Sequence, residues 1–123
     1  MLLKEIISAL EAKTIVDFTT EPNKDYHWVC ATDLMSDVLF YSTCQSLLLT
    51  GLAKTQTIRT ATVADLSIII FTRNNIPDDE TIELARTKGI SLFVTPFSTF
   101  TASGKLFTQG LQCCSDVNFT EED

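Results

Sequence analysis

The hydrophobic positions change period along the chain, and those changes mark its elements. Leu2, Leu3, Ile6, Ile7 and Leu10 recur at helical spacing with Lys4, Glu5, Ser8 and Glu11 between them, which predicts a short amphipathic helix. A brief strand follows over Thr14 to Phe18, then a loop from Thr19 to Asp25 marked by Pro22, Asn23 and Asp25. Tyr26 to Thr32 is rich in β-forming residues and reads as a strand, with Asp33 placed to cap a helix through Phe40. Ser42-Thr43 makes a polar turn, and a strand from Ser46 to Thr50 ends at Gly51.

The second half repeats one theme. Thr55 to Asp65 is helical by connectivity, although its threonines lose rotamer freedom in a helix. Ser67 to Thr72 is a continuous apolar run, the mark of a strand covered on both faces, and Ser91 to Thr95 is another. Between them Pro77-Asp78-Asp79-Glu80 places acidic residues at the positive end of a helix to Lys88, and Gly89 suits its left-handed terminus. Thr95 is read as the cap, and Pro96 as first-turn residue, of a last helix reaching about Gln109. Strands alternating with helices of this length predict right-handed βαβ units. The expected fold is a three-layer α/β sandwich, a mostly parallel sheet flanked by helices. Beyond Leu111 the periodicity stops, so residues 1–111 are read as one domain and 112–123 as a flexible acidic tail.

Length and charge narrow the function. At 123 residues the chain is one domain's worth, since two units would each be short of core. Its net charge of −7 leaves no cationic field for a phosphate backbone or an anionic bilayer, so neither nucleic acid nor membrane is expected as a partner. Asp116, Glu121, Glu122 and Asp123 carry part of that charge, however, and without them the body has a net charge of only −3. A local anion site is compatible with that balance. The N-terminus lacks the apolar core of a secretory signal, and no apolar run approaches the roughly 20 residues that span a bilayer. A cytoplasmic protein with thiols at Cys30, Cys44, Cys113 and Cys114 is therefore expected, with the vicinal pair Cys113-Cys114 read as lying in the tail. One histidine and no zinc-like cysteine spacing predict no metal site.

Parallel sheets bind ligands beyond the carboxyl ends of their strands, beside helix N-termini. Three of the strands end in a hydroxyl, at Thr50, Thr72 and Thr95. Gly51 and Arg73 follow directly, the latter with a planar fork suited to phosphate or carboxylate, and Ser98 and Thr99 add donors at the start of the last helix. The candidate site for a small anionic or nucleotide-like ligand is thus Thr50, Gly51, Thr72, Arg73, Thr95 and Ser98. Capping and turn formation would use the same threonines. No catalytic set is expected: His27 stands beside Trp28 in a strand, Asp33 and Asp37 are explained by capping and solvation, and no P-loop, dinucleotide fingerprint or nucleophile elbow is present.

The stretch Ala31-Thr32-Asp33-Leu34-Met35-Ser36-Asp37-Val38-Leu39 resembles the Ser-Asp-Leu-Leu-Ser-Asp-Val segment of DRTGG domains. Ile76-Pro77-Asp78-Asp79-Glu80-Thr81-Ile82, Gly89-Ile90 and Thr95-Pro96-Phe97-Ser98-Thr99-Phe100 are similar to that family's second half. The likeness runs from about Leu2 to Leu111 and departs where the family's glycine pair gives way to Trp28-Val29. It implies the fold of the N-terminal domain of HPr kinase/phosphorylase and a non-catalytic module that senses a ligand or associates, as a homodimer. Phe97, Phe100 and Phe107, with Ala102 and Gly104 between them, would let one stripe of the last helix pack on the sheet while its small residues admit a second helix. Stand-alone family members are linked to iron-hydrogenase genes, which makes a redox or iron-sulfur accessory protein using the four cysteines the alternative. A small enzyme acting on a phosphorylated metabolite is the other.

Overall fold

A computed structural model describes residues 1–41 and 45–114. In chain order these form α1 (Leu3–Ala9), β1 (Lys13–Val16), β2 (Trp28–Ala31), α2 (Met35–Tyr41), β3 (Ser46–Thr50), α3 (Thr55–Val63), β4 (Ile68–Phe71), α4 (Asp79–Lys88), β5 (Ser91–Val94), α5 (Thr99–Thr108) and β6 (Gln112–Cys113). The Ser42-Thr43 turn, Cys44 and residues 115–123 lie outside the described residues. The strands make one sheet of order β1-β5-β4-β3-β2-β6, parallel throughout except for β1, which pairs antiparallel with β5. The α/β sandwich with a mostly parallel sheet follows the sequence expectation.

The handedness of crossovers explains the layers. Strands β2 to β5 are laid down side by side in one direction, so right-handed connections put α2, α3 and α4 on the same face. The connection from β5 to β6 runs back across the sheet, and α5 therefore lies on the opposite face, beside α1. The buried strands feed both layers by simple alternation. Leu48, Ile69, Phe71 and Leu92 pack with Met35, Val38, Ile58 and Ala85 of the three-helix face. Leu47, Leu49, Ile70 and Phe93 pack with Leu3, Ile6, Ala102 and Leu106 of the two-helix face.

Three local expectations change. Thr95 and Pro96 precede α5 without capping it; the cap is Ser98, whose hydroxyl accepts the Thr101 N–H at 3.1 Å. The chain spends Pro96 and Phe97 in passing from the crest of β5 to the other face before the helix can begin. Asp33 does not cap α2, because its carboxylate turns toward β3. Gln112 to Cys114 are not tail: Gln112 and Cys113 pair with Trp28 and Val29 as β6, and Cys114 is buried. Among the described residues no helix is long and apolar enough to cross a membrane.

Candidate functional site

The carboxyl ends of β2, β3, β4 and β5 form a polar crest on an otherwise apolar sheet. Thr50, at the end of β3, is fully buried, and its hydroxyl donates to Asp33 Oδ1 at 2.9 Å. The same oxygen accepts the Gly51 N–H at 2.7 Å, tying the loop after β2 to the loop after β3. Asn75, from the loop after β4, donates to the Gly51 carbonyl at 2.9 Å. A Cβ at position 51 would sit 3.2 Å from Thr72 Oγ1 and 3.6 Å from Asp33 Oδ1, so a larger residue here would crowd the Thr72 hydroxyl where the three loops converge.

A second link joins β4 to α5, where the hydroxyls of Thr72 and Thr99 stand 2.9 Å apart. Arg73 and Asn74 both take left-handed backbone, with φ of 54° each. That bend aims their N–H groups at the loop after β5, to the carbonyls of Phe97 (2.8 Å) and Thr95 (2.9 Å). The chain leaves β4 for one face of the sheet and leaves β5 for the other, so these two ends make the topological switch point, the usual ligand position in open parallel sheets. Here backbone hydrogen bonds pin the two loops together and leave the Arg73 side chain exposed beside them.

Of the six residues read from the sequence, Thr50, Gly51, Thr72 and Arg73 are brought together on this crest. Thr95 is fully buried and its hydroxyl donates downward to the Leu10 carbonyl at 2.6 Å, while the Ser98 hydroxyl is engaged in capping α5. The sequence reading missed Asp33 and Asn75 as members of the crest. For Asp33 the signal was present, since it follows β2 as Gly51 follows β3, but a cap and a cross-strand acceptor use the same short carboxylate. Lys54 precedes α3 without a side-chain cap on that helix, adding an exposed cation to the loop after Gly51.

The thiols are divided between the faces. Cys30 and Cys114 lie in the core of the three-helix face, where a hydrogen bond to Cys30 and burial push the Cys114 thiol well above the ordinary range. Cys113 instead lines a groove on the two-helix face. Among the described residues no group of three or more His, Cys, Asp or Glu is placed to hold a metal. His27 is largely exposed and lies 3.5 Å from Asp25, away from the crest.

A one-way run of parallel strands with a hydrogen-bonded crest at its carboxyl ends defines a small α/β domain. Residues 5–108 match the DRTGG domain, and the chain belongs to that family. A search of curated proteins finds no match. Among solved structures, the fold is similar to the crystal structure of the CBS and DRTGG domains of the regulatory region of Clostridium perfringens pyrophosphatase complexed with its activator, diadenosine tetraphosphate. The TM-score is 0.68 at 24% identity, over 89% of this chain and 47% of that one, so this protein spans about half of that regulatory region.

Proposed function

We propose that the protein is a non-catalytic regulatory module, acting as a homodimer, that binds a small anionic, nucleotide-like ligand at the crest. The observation that carries this reading is the set of loops joined through Asp33, Gly51, Asn75 and Thr72 at the switch point, with Arg73 beside it. A guanidinium suits phosphate, and a carboxylate among hydroxyls suits the hydroxyl groups of a sugar. Thr95 and Ser98 frame the site from below and from the start of α5. The pyrophosphatase region that shares this fold binds a dinucleotide, a ligand with both features.

Thermal-shift and calorimetric titrations with ATP, diadenosine tetraphosphate and inorganic phosphate test it, since a ligand of the folded state raises apparent stability. The expected result is saturable binding of a nucleotide that Arg73→Ala weakens by about 10-fold or more, the effect of losing one charge-assisted contact. Binding untouched by Arg73→Ala and Asp33→Asn would place the ligand elsewhere, and no binding at all would remove the sensing role.

A further inference from the structure

Two thiols meet where the last strand joins the sheet. β6 runs parallel to β2 with Trp28 opposite Gln112 and Val29 opposite Cys113, and the Cys114 N–H donates to the Val29 carbonyl at 3.1 Å. Carrying that register one residue further sets Cys114 beside Cys30. Such neighbours point to the same face of a sheet, and both side chains lie in the core of the three-helix face, Cys30 4% exposed and Cys114 1%. The two thiols are hydrogen-bonded to each other, and the Ser46 hydroxyl, at the start of β3, hydrogen-bonds to the Cys114 sulfur. Cys113 points the opposite way, into an apolar trough between α5 and the sheet. Strand alternation thus separates the vicinal thiols 113 and 114 and gives Cys114 a partner from the other half of the chain.

We propose that Cys30 and Cys114 are a reversible redox pair whose disulfide locks the C-terminal strand onto the edge of the sheet. Adjacent strands stand about 4.8 Å apart, inside the roughly 4.4–6.8 Å Cα separation that a disulfide spans, so the bond forms with both strands in place. The oxidant is a low-molecular-weight disulfide such as glutathione disulfide. The Cys114 thiolate attacks it, forming a mixed disulfide and releasing one glutathione; the Cys30 thiolate then displaces the second. Two protein thiols are oxidised, one glutathione disulfide is reduced to two thiols, and the two protons lost by the protein end on the released glutathiones.

Access comes from the sheet edge. β6 is the last strand of the sheet and has two residues, so its release from β2 is a local opening rather than global unfolding. Closed, the pair is inert, because the bond to Cys30 and burial keep the Cys114 thiol protonated. Opened, Cys114 meets solvent and oxidant, and reclosing in register returns the mixed disulfide to Cys30 and completes the exchange. The resulting bond encloses everything from β3 to α5 in one loop, the kind of long closure that most restricts the unfolded chain.

Incubation of the folded full chain with glutathione disulfide, followed by thiol blocking and peptide mapping by mass spectrometry, tests the pair. The expected product is a Cys30–Cys114 link, two hydrogens lighter than the reduced chain and reversed by dithiothreitol. Its melting temperature is expected to rise by about 5 °C or more over the reduced form. A chain carrying Cys44→Ser and Cys113→Ser together is expected to form the link and show the same rise, and Cys114→Ser to lose the rise altogether. Mapping of the wild type decides the matter whether or not a variant folds. Cys114 found bonded to Cys113 or Cys44, or left as the glutathione mixed disulfide, overturns the proposal. So does a folded wild type whose Cys30 and Cys114 both stay reduced after prolonged exposure to the oxidant.

Discussion

Thr50, Thr72 and Thr95 hold equivalent places at the ends of β3, β4 and β5, yet their hydroxyls go three ways. Thr50 turns to Asp33, Thr72 to Thr99, and Thr95 down to the carbonyl of Leu10. The strand-tip rule locates all three from sequence, because it depends only on where an apolar run stops. Their partners come from loops and helices distant in the chain, and no local pattern encodes them. Thr95 carries the sharpest consequence at this scale. Its bond to Leu10, the C-cap of α1, is buried at both ends and joins the N-terminal helix to the sheet. Thr95→Val keeps the shape and strands that carbonyl, so it should cost about 1–3 kcal/mol. Urea unfolding checks this: the midpoint falls with the slope unchanged, and Thr95→Ser recovers most of the loss.

Elements were legible in proportion to how much of their boundary chemistry is local. In α4 nearly everything is. Asp78 accepts the Thr81 N–H at 2.9 Å, Asp79 and Glu80 fill the first turn, and Gly89 closes the helix in left-handed backbone at φ 69°. In α5 the same reasoning placed the cap three residues early, since both Thr95 and Ser98 are good caps and only the route of the chain over the crest decides between them. Strand β6 was invisible, because two residues have no period and its pairing is supplied by β2. The α4 cap also titrates. Hydrogen bonds from Thr81 hold the Asp78 carboxyl below its usual range, so its stabilisation is complete above the unfolded pKa and is lost as pH falls through the lowered folded value. Melting curves should therefore show Asp78→Ala less stable than wild type by a constant margin from neutral pH downward. The margin closes below a pH of about 4, near the ordinary carboxylate value, whereas Asp78→Asn keeps most of the cap at every pH.

At the scale of the whole molecule, the direction of winding sets both the crest and the trough. Because β2 to β5 advance one way and β5 to β6 returns, loops diverge at the β4–β5 ends and one face is left with two helices. The return stroke ends in β6, which pairs with β2 and brings Cys114 into the core beside Cys30. A domain boundary drawn at Leu111, where the hydrophobic pattern fades, would remove this closure. Such a truncation loses the bonds from Gln112 N to the His27 carbonyl and from Cys114 N to the Val29 carbonyl, and bares an apolar strand edge. Those bonds and the buried Cys114 side chain together are worth on the order of 2–4 kcal/mol, a large share of a small domain's stability. A chain ending at residue 111 should melt markedly earlier than the full protein and aggregate on mild heating. One ending at residue 114 should melt well above the chain ending at 111, because the strand and its buried thiol are both retained. Equal melting of the two shortened chains would mean that β6 contributes nothing to the sheet edge it covers.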